Sequence, residues 1–75
     1  MDQGQSTYGI SNIEYNLITT MANLLDGVDV LDQYAQDAEQ AGDSESATIF
    51  RTIRENNKNS AQQLRNALSR QMGKS

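Results

Sequence analysis

The chain has 75 residues, ten acidic and six basic side chains, a formal charge of −4, and no cysteine, histidine or proline. A chain this short buries a small fraction of its surface and is marginal alone. Without cysteine or histidine it has no disulfides, no thiolate metal site and no imidazole base, so oligomerisation is the stabilising device left to it.

Apolar residues make up 36% and aromatics 5%, low for a monomeric core, and no apolar run is long enough to cross a membrane. The acidic balance argues against nucleic acid and anionic membrane as partners. The first residues, Met1 to Gln5, show no basic region followed by an apolar run, so no secretory signal is read and a cytoplasmic location is expected.

Residues 1–10 are polar, contain two glycines and carry no helical period; a flexible arm is expected there. Ser11 and Glu14 then have the spacing of a capping box, and Ile10 and Tyr15 that of a hydrophobic staple. From this start apolar residues recur every seven positions: Ile10, Leu17, Leu24, Leu31 and Ala38. One flanking row adds Met21, Val28 and Ala35; another adds Ile13, Tyr34 and Ala41, with Thr20 and Gly27 between them. Such a sustained heptad predicts a long helix packed at a shallow angle. Gly27 costs the helix roughly 1 kcal/mol relative to alanine. It is read either as a point of close helix approach or as a tolerated defect.

Gly42 suits a left-handed helix end, Asp43 and Ser44 are both good N-caps, and Glu45 lies where the next helix dipole favours an anion. The second helix carries Ala47, Phe50, Ile53, Ala61, Leu64, Ala67 and Leu68 at helical spacing, and Gly73 follows Met72. The predicted organisation is an all-α antiparallel hairpin over 11–72, with helices at about 11–41 and 44–72 and a tail at 73–75. A connection this short makes the helices neighbours, with Leu17 level with Leu68, Leu24 with Ala61, and Leu31 near Ile53 and Arg54. Residues 1–45 hold nine of the ten acids and no base, whereas residues 46–75 hold all six bases and only Glu55. Asp26, Asp29, Asp32, Asp37 and Glu39 can therefore face Arg51, Arg54 and Lys58, within the chain or across a dimer, each exposed pair adding about 0.2–1 kcal/mol and setting which helix meets which.

The apolar stripe, widened by Ile18 and Leu25, exceeds what one partner helix can cover. A second copy burying Leu24, Leu25, Val28, Phe50 and Leu64 would gain about 1.5–3 kcal/mol per large side chain. The expected assembly is a homodimeric four-helix bundle whose core includes Leu17, Met21, Leu24, Leu25, Val28, Leu31, Phe50, Ile53, Asn57, Ser60, Ala61, Leu64 and Leu68.

The stretch Tyr34-Ala35, Ala38, Gly42, then Ala47-Thr48-Ile49-Phe50 and Ala61-Gln62-Gln63-Leu64, resembles one helical hairpin of the ferritin-like superfamily, rubrerythrin especially, over about residues 20–70. The resemblance implies a four-helix bundle made from two hairpins around two metal ions, with A-x-I-F followed six residues later by E-x-x-H-A-x-x-L. On that pattern the ligand positions fall at Leu24 (glutamate), Asn57 (glutamate) and Ser60 (histidine). Leucine, amide and hydroxyl cannot neutralise two divalent cations, so the resemblance implies a relative without metal or cofactor and without inherited ferroxidase or peroxidase activity. Asn57 and Ser60 are then read either as a polar register lock in the dimer core or as a partly exposed helix face.

Other constellations favour the plainer reading. Asp26, Asp29 and Asp32, three apart, read as a solvated or ion-paired face, since they form no loop of calcium-ligating oxygens. Ser6, Thr7 and Ser11 have no histidine to activate them. Tyr8, Tyr15 and Tyr34 read as packing residues with a polar tip. Arg51, Arg54, Lys58, Arg65 and Arg70 could meet phosphates, but the acidic first helix and scarce aromatics disfavour nucleic acid. The expected function is a non-enzymatic homodimeric interaction or scaffold module, its partner itself or an unknown protein. The alternatives are a degenerate metal- or small-ligand-binding bundle and, further off, a nucleic-acid-associated regulator.

Overall fold

Two helices account for nearly all of the described residues, 11–73, in the computed structural model: α1 (Asn12–Gln40) and α2 (Ser44–Met72). The expected arm at 1–10, with Tyr8 and the Ile10 half of the staple, lies outside the described residues, as do 74 and 75 of the expected tail. Each helix has 29 residues and is therefore roughly 43 Å long.

The start of α1 is a complete capping box. The Glu14 amide donates to Ser11 Oγ at 3.1 Å, and the Ser11 amide donates to Glu14 Oε1 at 3.1 Å. This satisfies two amides that the first turn would otherwise leave unpaired. Glu14 is thus occupied as a capping partner.

The end of α1 and the start of α2 share three residues, Ala41, Gly42 and Asp43. Gly42 has φ +79° and is the only described residue in the left-handed region. Its amide donates to the Glu39 carbonyl at 3.0 Å, and the Asp43 amide to the Ala38 carbonyl at 2.9 Å. These two bonds form a Schellman ending. Of the two candidate caps for α2, Asp43 takes the role: its carboxylate accepts from the Ser46 amide at 3.0 Å and the Ser46 hydroxyl at 2.6 Å. The Ser46 hydroxyl, and then its amide, hold the Asp43 carboxyl below the usual aspartate range.

So tight a turn returns α2 along α1, and the two helices pack over their length. Local pairs confirm the expected register. Tyr34 stacks against Phe50 with ring centroids 5.6 Å apart and planes tilted 58°. Arg54 pairs with Asp32, and Asn57 reaches the backbone of Leu24. Among the described residues no helix is long and apolar enough to cross a membrane.

Two outcomes follow for the turn. Gly42→Ala places a Cβ in the left-handed region and should destabilise the fold by about 1–2 kcal/mol in chemical denaturation. At Asp43 the folded carboxyl is the stronger acid, so its stabilising effect is present above the unfolded value of about 3.9 and fades as pH falls through the folded one. Asp43→Asn keeps an acceptor but removes that titration. The stability advantage of the native chain over Asp43→Asn, measured by thermal melts, should therefore shrink as pH is lowered from about 5.

Candidate interaction face

The seam between α1 and α2 buries little. Among the described residues the buried apolar ones are Ala35, Ala47 and Ala61, and no large side chain is fully enclosed. Leu17, Met21, Leu24, Val28, Leu31, Phe50, Asn57, Leu64 and Leu68 of the expected core are half-buried; Leu25, Ile53 and Ser60 are exposed, and Ala61 is buried. Nine large apolar side chains are between 43% and 60% exposed: Ile13, Tyr15, Ile18, Leu25, Val30, Tyr34, Ile49, Ile53 and Met72.

A helix turns about 100° per residue, so the rows flanking the seam fall on two opposite sides of the hairpin. On one side lie Ile18, Leu25, Asp32 and Glu39 of α1 with Arg51, Lys58 and Arg65 of α2. This side is ionic toward the turn. Asp32 pairs with Arg54, whose Nε lies 3.1 Å from Glu55; Glu55 lies 3.7 Å from Lys58; and Arg51 lies 3.6 Å from Glu39. The Asp32 bond, opposed by desolvation, raises the Arg54 guanidinium pKa. Away from the turn, Met21, Leu25, Lys58, Ala61, Gln62 and Arg65 line an open groove of about 250 Å³.

Part of the expected charge pairing is thereby realised and part is not. Arg51 and Arg54 reach Glu39 and Asp32 across the seam, whereas Lys58 pairs within α2 with Glu55. Asp37 instead accepts from Gln33 Nε2 at 2.9 Å. Of Asp26, Asp29 and Asp32, read as a solvated or ion-paired face, Asp32 is paired with Arg54 and half-buried at the seam edge, and the other two are exposed. Among the described residues no group of three or more acidic side chains is placed to share a metal ion.

The other side carries no charge in the rows next to the seam. Ile13, Thr20, Gly27, Tyr34 and Ala41 come from α1, and Ser46, Ile53, Ser60 and Ala67 from α2. Near the turn, Tyr34, Ala38, Ala41, Ser46 and Phe50, with Asp37 and Asp43 at the rim, shape an open groove of about 350 Å³. The sequence reading named Ile53, Ser60 and Ala67 but not the uncharged row they form with Ser46 at seven-residue spacing, and it gave the exposed Val30 no place. The row mixes serine with isoleucine and alanine, so hydrophobicity alone does not mark it; its lack of charge does.

Gly27 and Asn57 meet at mid-seam. Asn57 Nδ2 donates to the Leu24 carbonyl at 3.3 Å, and a Cβ on Gly27 would stand 3.0 Å from the same nitrogen. Gly27 is therefore a notch for an amide and not a tolerated defect. The same bond joins Leu24 and Asn57, two positions that the ferritin-like pattern assigns to ligands. Ser60, the third, points to solvent.

No family model, no curated protein and no solved structure matches this chain. The hairpin is compatible with one helical half of a ferritin-like bundle, but its geometry is that of a two-helix hairpin in general.

The notch has a measurable signature. Gly27→Ala should gain roughly 0.5–1 kcal/mol of helix propensity and lose a similar amount as the Asn57 amide is displaced, leaving stability nearly unchanged. In an Asn57→Ala background the same substitution should be stabilising by close to the full propensity gain. Equal effects in the two backgrounds, read from urea denaturation at one protein concentration, would show that the contact carries no energy.

Proposed function

We propose that this protein is a non-enzymatic interaction module that works as a homodimer, two hairpins forming a four-helix bundle related to the ferritin-like type but without its metal ligands. The supporting observation is the mismatch between core and surface: three alanines buried, nine large apolar side chains 43–60% exposed. The radius of gyration, 16.5 Å, is also well above the roughly 11 Å of a compact chain of this length. Covering the exposed half of a large apolar side chain contributes on the order of 1 kcal/mol. Several such side chains together match the whole stability of a small domain.

The ferritin-like component of the reading rests on Ala47-Thr48-Ile49-Phe50 and Ser60-Ala61-Gln62-Gln63-Leu64 and on the substitutions at Leu24, Asn57 and Ser60. A non-catalytic role agrees with a chain that has neither histidine nor cysteine.

Sedimentation and circular dichroism across a dilution series test the assembly. The expected result is a species of twice 8.3 kDa, with mass and helix content falling together on dilution because association supplies folding energy. A fully helical monomer at micromolar concentration would overturn the reading. Metal analysis of the purified dimer should find no bound ion; two ions per dimer would replace this proposal with a metal-binding bundle.

A further inference from the structure

We infer that the second copy covers the uncharged side of the hairpin, the side of Tyr34 and Ile53, and leaves the ionic side of Asp32 and Arg54 in solvent. The inference rests on the homodimer reading and decides which of two surfaces makes the dimer. Three observations carry it.

The first is the cost of removing charge from water. A partner seated on the ionic side would dehydrate Asp32, Arg54, Glu55, Lys58, Glu39 and Arg51, which are linked there in ion pairs. Burial of such pairs often costs more than their attraction returns, and interface centres are depleted of charge. On the opposite side the two rows beside the seam contain no ionisable carboxylate or cation from Ile13 to Ala41 and from Ser46 to Ala67. The carboxylates of Asp37 and Asp43 stand at its rim, where a polar border belongs.

The second is area. Two helices roughly 43 Å long, side by side at 8–10 Å, present a face about 20 Å wide. Such a face is on the order of 800 Å², what each partner contributes to an interface of standard size.

The third is shape. A surface that pairs with its own copy must supply both bulges and hollows. Tyr34 (49% exposed) and Ile53 (43% exposed) stand out. Seven residues away along each helix, about 10 Å, the level is lower, with Ser60 and with Gly27 beside the Asn57 amide. Thr20 and Ala67 continue it for another seven. One large level is thus followed by two small ones along one uncharged face, so that side chains of one copy can enter the low stretch of the other. On the ionic side the corresponding stretch is an open groove whose lining includes the cations Lys58 and Arg65.

The test compares charges placed on the two sides. Ile53→Asp and Leu25→Asp alter side chains of similar exposure, 43% and 47%, so damage to the isolated hairpin is matched. Ser60→Lys changes an exposed side chain and leaves the seam intact. Dimer dissociation constants from sedimentation equilibrium should rise at least about 30-fold for Ile53→Asp and for Ser60→Lys, as for an interface hot spot, and stay within about threefold for Leu25→Asp, as for a surface change. The native chain gives a readout free of folding damage. Oxidative footprinting of the native dimer by mass spectrometry should label Tyr34 severalfold more slowly than Tyr15, although the two are similarly exposed in the single hairpin, 49% and 44%.

Dissociation by Leu25→Asp but not by the other two, an equal response of all three, or equal labelling of both tyrosines would overturn the choice of side. A native chain that never dimerises would instead remove the homodimer reading beneath it.

Discussion

Two helices joined by a three-residue turn share one seam and no more. Each helix has a full circumference, and its neighbour covers only part of it. A chain that places apolar side chains along a single narrow stripe can satisfy itself within that seam. This chain spreads them wider, from Ile18 and Leu25 on one side through Leu24 and Leu31 to Tyr34 and Val30 on the other. The seam closes over alanines, while the larger side chains lean against it half-covered. Everything proposed here about assembly descends from that geometric deficit.

Charge then divides the uncovered surface. Acids cluster on α1 and bases on α2, and the antiparallel turn brings part of each set together on one side. Arg54 is central: it spans the seam to Asp32 and reaches along its own helix to Glu55. Exposed pairs of this kind add little stability. They do make one side of the hairpin expensive to dehydrate, which is the ground for proposing contact on the other. Ion pairs that are weak as stabilisers can in this way act strongly on specificity.

The ferritin-like resemblance and the hairpin geometry meet at Leu24 and Asn57. Where the resemblance implies carboxylates reaching toward metal, this chain has an amide donating to a backbone carbonyl across the seam, with Gly27 supplying the space. That bond between the helices is neutral and needs no cation. The partner of Asn57 is therefore within its own hairpin, whereas a dimer lock would place it on the second copy.

What the sequence determined by itself is the set of features written in short-range chemistry. Ser11 and Glu14 mark the start of α1 because a cap needs only residues three apart. Gly42 marks the turn because only glycine takes a positive φ without steric cost, and the heptads of both helices give the antiparallel register. The helix ends agree with expectation to within a residue on this account. The tertiary structure alone decided the choice between Asp43 and Ser44 as cap, the pairing of Arg54 with Asp32, the meeting of Asn57 and Gly27, and the division of the flanking rows into an ionic side and an uncharged one. These depend on how far each helix is rotated about its own axis and how closely the pair approaches. A repeat in the sequence shows that a face exists, but the direction in which that face points is set by its contacts with the neighbouring helix.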